Sequence, residues 1–503
     1  MNSEDIKYVI IQAGGKGIRM GRYAENKPKC LVPVKGIPMI MNTIERYKDK
    51  EIIIIADYKA DVLEAYLTNF CKHNFTVCQT MEQGTAGGLT KVMDLIPDDK
   101  PFILTWADLF FDQTPKFEFN KDLLVGLSDT FKCRWKLENN KFVNKASTEI
   151  GVAGFFAFKN KQRFNKLSIS KSLVRGFLSE NYKDYEIESF TLSNCFEVGE
   201  VDKYESILVN ELNHRFFNEV IIEGDKVTKR CIDPRYEDVH SKEKLWYNAV
   251  SDRLENVPKI HSYDPLTMER IGGEHLWNLK ENKEQLINNF CDALDSLHSI
   301  AEVDANTDDM IDVYLKKTKS RVEEVRSLIR DIDEPMVKIN SRMCINPLCD
   351  EEYFEEHIKK ISNIDKFNII HGDNTFSNTI ADENSKIWFI DPRGVFGSTP
   401  IYGDRRYDYA KLYYSAYGNY DSINSKDYRI KLDRRNVDLE IKSNGYEEFA
   451  DLIIKRSGVP KAEIQLIHAC IWFALTGYVK EDYDAVLFAF YKGCQLWTEA
   501  VSD

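Results

Sequence analysis

Tyr8-Val9-Ile10-Ile11-Gln12-Ala13-Gly14-Gly15-Lys16-Gly17-Ile18-Arg19-Met20 opens the chain with an apolar run that ends in glycines and cations. The bulky run Tyr8–Ile11 reads as a strand buried on both faces. A glycine turn directly after such a strand lets backbone N–H groups close on an anion, and Lys16 and Arg19 bring positive charge to the same place. Gly14, Gly15, Lys16 and Gly17 are therefore candidates for a phosphate cradle. In isolation a merely structural turn reads the same way, so the surrounding sequence decides.

That context is rhythmic. Ile52–Ile55 and Phe102–Trp106 read as further buried strands, while Met39–Tyr47 and Ala60–Phe70 carry apolar residues at helical spacing. Strands alternating with helices imply parallel βαβ units, with helices on both faces of a sheet. Between them lie Asn26-Lys27-Pro28-Lys29, Gly84-Thr85-Ala86-Gly87 and the strand end Trp106-Ala107-Asp108. Ile150–Phe158 reads as another strand, followed by helical sequence and then by Phe196–Tyr204.

Beyond residue 215 the pattern changes. Glu219–Glu223 and Lys226–Cys231 are strand-like runs joined at Gly224-Asp225, which predicts a hairpin. A long helical region is expected over Lys280–Ile332, a polar loop near Asn340–Glu352, strands at Phe367–Ile370 and Ile387–Ile390, and a mostly helical remainder. At 503 residues the chain is too long for one ordinary core. The change of pattern places the boundary near residues 205–217, giving domains 1–210 and 211–503.

A second constellation occupies the later domain. The strand Phe367–Ile370 ends in His371-Gly372-Asp373-Asn374-Thr375-Phe376-Ser377-Asn378, and Ile387–Ile390 ends in Asp391-Pro392-Arg393-Gly394. Phosphoryl transfer from ATP requires a carboxylate facing the acceptor hydroxyl, plus an amide oxygen and a second carboxylate for magnesium. Asp373, Asn378 and Asp391 supply those groups just beyond two strands. Local Asx turns are the alternative reading.

Composition narrows the partners. A net charge of −13 argues against a nucleic-acid binder, which needs a basic surface. The 11 cysteines are scattered without a CxxC pair, as expected of reduced thiols in the cytoplasm. The opening Met1-Asn2-Ser3-Glu4-Asp5 is unlike a signal peptide, and no apolar run reaches the roughly 18 residues of a membrane span.

Over residues 6–205 the chain resembles nucleotidyltransferases that activate sugar phosphates and phospho-alcohols, including the phosphocholine cytidylyltransferase type. The resemblance implies an α/β, Rossmann-like domain with a mixed sheet. It also implies that the glycine loop and Arg19 embrace the nucleotide phosphates, and that Lys29 stabilises charge in transfer. Gly84, Thr85, Ala86 and Gly87 would lie against the base, and Asp108 would bind Mg2+. Two departures stand out. Ile18 replaces a hydroxyl residue, and Glu197 stands where the family has its second metal Asp; as a longer carboxylate it can still ligate the cation, or it is a plain surface carboxylate.

Residues 216–503 resemble the aminoglycoside phosphotransferase and choline kinase superfamily, which implies a protein-kinase-like α+β domain. The match extends through Gly403-Asp404-Arg405-Arg406-Tyr407-Asp408-Tyr409-Ala410. It makes Asp373 the catalytic base and Asn378 and Asp391 magnesium ligands, with Asp404 and Asp408 bracing the catalytic loop. Lys229 fits the ATP-phosphate lysine and Glu243 its helix partner, though both could be ordinary surface residues. Met268-Glu269-Arg270-Ile271 resembles the hinge that contacts adenine, so Glu269 and Ile271 are candidates there.

The acceptor is the open question. Tyr402, Tyr407, Tyr409, Tyr413, Tyr414 and Tyr417 crowd the segment past Asp391, with Trp472 and Trp497 beyond. They could box a quaternary ammonium, or simply form a packed face at helical spacing. The combined reading is a bifunctional cytoplasmic enzyme. Its kinase would phosphorylate a choline- or ethanolamine-like amino alcohol with ATP. Its other domain would then join the product to a nucleotide from a second NTP, CTP foremost, for decorating a surface polysaccharide. A sugar acceptor, phosphorylated at its anomeric hydroxyl, is the runner-up, and a degenerate nucleotide-binding module the third. Homo-oligomerisation is left open.

Overall fold

A computed structural model describes residues 1–80, 84–162, 173–211 and 218–502. Contacts divide it into two compact units, Met1–Asn210 with Glu481–Tyr483, and Glu211–Lys480 with Asp484–Asp503.

The first unit is built on a nine-stranded mixed sheet. Tyr8–Gln12 lies between Glu51–Ala56 and Phe102–Trp106, parallel to both, and Phe75–Gln79 continues the parallel set. Gly151–Phe158 runs antiparallel to Phe102–Trp106, followed by Leu123–Ser128 and Ile187–Thr191. Helices Met39–Arg46, Ala60–Phe70 and Gly84–Val92 supply the connections. Ile10, Ile53, Leu104 and Phe156 anchor one face of the sheet in a single buried cluster. The chain leaves Tyr8–Gln12 toward Glu51–Ala56 on one side and reaches Phe102–Trp106 on the other. Such a switch point opens a crevice beyond the carboxyl ends of the strands, where ligands of open α/β sheets bind.

The second unit begins with a four-stranded antiparallel sheet: Asn218–Glu223, Lys226–Cys231, Leu266–Glu269 and Ile260–Tyr263 in that order. Glu223 pairs with Lys226, so Gly224-Asp225 is the two-residue turn expected, with Gly224 at φ 60°. Helix Glu237–Val250 follows. The rest is mainly helical, with short strand pairs that carry the site residues.

Several expectations need correction. The region Lys280–Ile332 is not one helical stretch: helix Lys283–His298 stops, and Glu302–Asp304 pairs with Lys366–Ile369 before helix resumes at Thr307. Asn306 caps that restart by accepting from the Asp308 N–H. The expected loop at Asn340–Glu352 begins instead as a hairpin, Met336–Ile339 with Arg342–Ile345. It turns on Asn340 and Ser341, both at positive φ. Phe196–Tyr204 divides into the strand Cys195–Glu197 and the start of helix Val201–Glu211. The late hairpin Tyr428–Leu432 with Val437–Ile441 interrupts the helical remainder. No helix among the described residues is long and apolar enough to cross a membrane.

Candidate active sites in the two units

In the first unit the strands deliver the site. The glycine loop follows Tyr8–Gln12 and Asp108 follows Phe102–Trp106, neighbouring strands in parallel register. Gly17 is at φ 65°, and a Cβ there would lie 2.9 Å from the Cβ atoms of both Ala24 and Lys29. Only glycine lets the loop settle on Lys29. Lys29 Nζ is ion-paired with Asp108 Oδ2. Gln12 Nε2 donates to Thr85 O at 2.9 Å, tying the glycine-loop strand to the Gly84 segment.

Glu197 reaches the same place from another strand. Cys195–Glu197 pairs antiparallel with Leu109–Phe111, with Glu197 opposite Leu109, and the Val198 N–H donates to Asp108 O at 3.1 Å. Burial first, then the Asp108 charge, raises the Glu197 carboxyl above its ordinary range. Two carboxylates drawn together in a half-buried crevice fit a hard divalent cation, which relieves their repulsion. Gly199 preserves the arrangement, since a Cβ there would stand 2.4 Å from Glu197 Oε1. Arg19 is held by Glu200, with Glu197 Oε1 3.7 Å from its Nη2. Lys16 and Gly15 are exposed at the loop, and Ile18 is 84% exposed. Cys30 beside Lys29 is buried, and burial pushes its thiol up to about 12, with Asp108 adding to the effect.

The Gly84–Gly87 segment is helical. It forms the first turn of helix Gly84–Val92, and Ala86 is buried in the core under the sheet. Thr85 Oγ1 accepts from the Val174 N–H at 3.0 Å. Gly84 and Gly87 remain as backbone at the helix start.

In the second unit two strand pairs converge. Thr379–Ala381 pairs with Ile387–Phe389, and the Ile390 N–H donates to Asn378 O at 3.0 Å, bringing Asn378 and Asp391 to one end of the hairpin. Asn378 Nδ2 donates to Asp373 O at 2.7 Å and to Asp373 Oδ2 at 3.1 Å. Asp373 Oδ1 faces Lys411 Nζ at 2.9 Å. Asp391, at φ 57°, is ion-paired with Lys229, whose Nζ also meets Glu243 Oε1 at 2.8 Å. Lys229 and Glu243 are 7% and 6% exposed, so the pair is interior rather than surface. The oxygen donors Asn378 and Asp391 suit magnesium. Among the described residues, no cluster of three or more His, Cys, Asp or Glu forms a cage in either unit.

Asp408 holds the turn that carries Asp373. It accepts the backbone N–H groups of His371 and Gly372, each at 2.8 Å, and His298 Nε2 lies 3.1 Å away. His371 is buried, and that burial lowers its pKa. Its Nε2–H donates to Ile390 O while Nδ1 accepts from the Asp373 N–H. Asp404 caps helix Arg405–Ala416 and accepts from Tyr314 at 2.9 Å. Asp408 thus braces the loop, while Asp404 fixes the start of the following helix.

Glu269 is exposed at its strand end, with its backbone N–H donated to Lys259 O, and Ile271 follows half-buried. The aromatic residues form a packed face, not an open box: Tyr409, Tyr413, Tyr414, Trp472 and Trp497 are each at most 2% exposed. The sequence reading also missed Lys411 and Glu200. Lys411 follows Asp408 by one helical turn, a signal that spacing alone could have given. Glu200 was visible in Phe196–Glu200 but had no assigned partner.

Residues 9–115 match the family of the MobA-like NTP transferase domain. Bifunctional protein GlmU of Methanocaldococcus jannaschii is 31% identical over 107 residues, 20% of this chain and 25% of that protein. Glucose-1-phosphate cytidylyltransferase of Salmonella typhimurium is 27% identical over 126 residues, 20% of this chain and 49% of that protein. The chain thus spans about a quarter to a half of the length of these relatives. Among solved structures, the inositol-1-phosphate CTP transferase from T. maritima is similar at 16% identity and a TM-score of 0.34, over 40% of this chain and 95% of that one. The N-terminal part of the chain therefore carries a MobA-like NTP transferase domain, with sugar-phosphate nucleotidyltransferases among its relatives.

Proposed function

We propose that the chain is a bifunctional enzyme: a kinase in the second unit phosphorylates a small hydroxyl compound with ATP, and the first unit couples the product to a nucleotide. The observation that carries this reading is a lysine paired with a carboxylate beyond the strand ends in each unit, Lys29 with Asp108 and Lys229 with Asp391. Such pairs collect where a metal–nucleotide complex is held.

In the first unit a phosphate oxygen of the acceptor attacks the α-phosphorus of the NTP. The bond to pyrophosphate breaks and pyrophosphate leaves. The glycine loop, Arg19 and Lys29 orient the triphosphate, and Asp108 and Glu197 would hold Mg2+. CTP is the favoured NTP, in line with the cytidylyltransferase relative. In the second unit the acceptor hydroxyl attacks the γ-phosphorus, ADP leaves, and the proton passes to the Asp373 carboxylate. Lys229, set by Glu243, orients the ATP phosphates, and Asn378 and Asp391 would hold Mg2+. Bound there, magnesium neutralises charge on the phosphate oxygens. Use of ATP and CTP suits a cytoplasmic enzyme, and a CDP-linked product suits transfer to a surface polysaccharide.

Full-length protein with Mg2+, ATP and CTP should form ADP and then release pyrophosphate when supplied with a panel of alcohols and sugars. Mass spectrometry should find a CDP-linked product. Nucleotide binding with neither ADP nor pyrophosphate formed would establish the binding-module alternative instead.

A further inference from the structure

Four cations of the second unit gather around Tyr478 and Asp373. Lys411 Nζ lies 2.9 Å from Asp373 Oδ1. Arg393 Nη2 donates to Tyr478 Oη at 3.0 Å. Over the same ring stand the Arg321 guanidinium at 4.6 Å and the Lys317 ammonium at 5.9 Å from its centroid. The residues come from four separate elements: Lys317 and Arg321 from helix Lys317–Glu323, Lys411 from helix Arg405–Ala416, Arg393 from the segment after Asp391, and Tyr478 from the turn after helix Lys461–Leu475. The convergence is therefore made by the tertiary fold, not by a charge run.

Positive charge is in excess there. Among the described residues, Asp373 and Glu324 face the group, and Glu324 is shared between Arg321 at 3.4 Å and Lys480 at 3.6 Å. Lys317 is half-buried. Burial and then Arg393, Lys411 and Arg321 hold its ammonium well below the ordinary lysine range, with Asp373 opposing. The phenol of Tyr478, half exposed, is partly desolvated, yet Arg393 foremost, then Arg321 and Lys411, lower it. Gly477 is matched to the arrangement, because a Cβ there would lie 2.4 Å from Arg321 Cδ. Cations held this close repel one another, and a bound anion removes that repulsion. A quaternary ammonium would add to it.

The geometry points to an acceptor that carries its own anion: Lys317, Arg321 and Arg393 grip a carboxylate or phosphate while its hydroxyl faces Asp373. This assignment rests on the kinase reading above. The acceptor O–H then forms the new O–P bond to the γ-phosphorus, the bond to the β-phosphate oxygen breaks, and the hydroxyl proton goes to Asp373. Lys411 is a positioning residue, holding the Asp373 carboxylate in place.

The test uses the full chain with Mg2+ and ATP, offered D-glycerate and glycerol 3-phosphate as hydroxy anions against choline, ethanolamine and glucose. ADP formation should favour at least one hydroxy anion over all three others by at least about tenfold in kcat/KM. Lys317→Ala and Arg393→Ala should each raise the acceptor KM at least about tenfold while the KM for ATP stays within about twofold, the loss expected of one charge-assisted contact. Whichever of the two anions is preferred tells carboxylate from phosphate. Preference for choline, ethanolamine or glucose would overturn the assignment. So would variants that change only the KM for ATP, since the cations would then serve the nucleotide. Anion binding is scored separately by thermal shift with ADP and Mg2+. Stabilisation by a hydroxy anion that is lost in Arg393→Ala, without ADP formation, would keep the anion site and remove the kinase reading. Neither stabilisation nor turnover would remove the anion site.

Discussion

Glu197 and Gly199 show how one side chain can depend on the absence of another. A methyl at residue 199 would meet the Glu197 carboxylate at 2.4 Å and push it from Asp108. Gly199→Ala should lower pyrophosphate release at least about tenfold, equivalent to about 1.4 kcal/mol in the barrier, while changing the melting temperature little; a coupled pyrophosphate assay on folded variant decides. Asp421 offers a pH test. It accepts the Ser377 N–H at 3.1 Å, while Oδ2 is buried without a partner, and burial raises its carboxyl to about 6. The folded state thus holds this proton longer than the unfolded chain does. The stabilising contribution is complete below about pH 4 and disappears as pH rises through about 6. Asp421→Asn, which keeps an acceptor for Ser377, should therefore melt higher than the parent at pH 7.5, with the gain vanishing near pH 4. An unchanged difference across that range, followed by calorimetry, would refute the assignment. Asp108 and Asp373 were legible because each follows a strand whose apolar run is unmistakable, whereas Lys29 and Lys229 stood out only through the family resemblances. Lys317, Arg321 and Tyr478 were not legible, since only the fold unites residues so far apart in sequence.

At the scale of elements, helix Arg405–Ala416 is a brace for the turn that carries Asp373. All of Arg406–Ala416 is buried, so the helix has no polar face to announce it by periodicity. Asp408→Ala would orphan the His371 and Gly372 N–H groups inside the protein. Unsatisfied buried donors cost about 1–3 kcal/mol each, so urea denaturation should show a loss of roughly 3 kcal/mol or more, with Asp408→Asn losing less because one acceptor remains. Equal loss in both variants would mean that charge, not hydrogen bonding, is what Asp408 supplies. The same reasoning explains which elements the sequence revealed. Gly224-Asp225 announced its hairpin through glycine, whereas Asn340-Ser341 turns at positive φ without one and was read as loop. Leu123–Ser128 and Ile187–Thr191 went unread because each is short and their pairing partners lie outside the βαβ rhythm. The strand Glu302–Asp304 was hidden inside helical sequence, and only its pairing with Lys366–Ile369 reveals it.

For the whole molecule, the two proposed chemistries use separate carboxylates and should be separable by mutation. Asp373→Asn should abolish ADP formation, by at least about a thousandfold, and leave pyrophosphate release from supplied phospho-substrate intact. Asp108→Ala should do the reverse. Loss of both half-reactions in one folded variant, measured by parallel ADP and pyrophosphate assays, would show a shared centre. Cys30 gives the molecule a built-in gauge of motion. With its thiol pushed up to about 12, only about one in ten thousand ionises at pH 8 while the fold is closed. Alkylation at that position must then await a local opening around Lys29. Peptide-resolved labelling with iodoacetamide would thus time the breathing of the crevice around Lys29, and any ligand that shuts it should slow the clock.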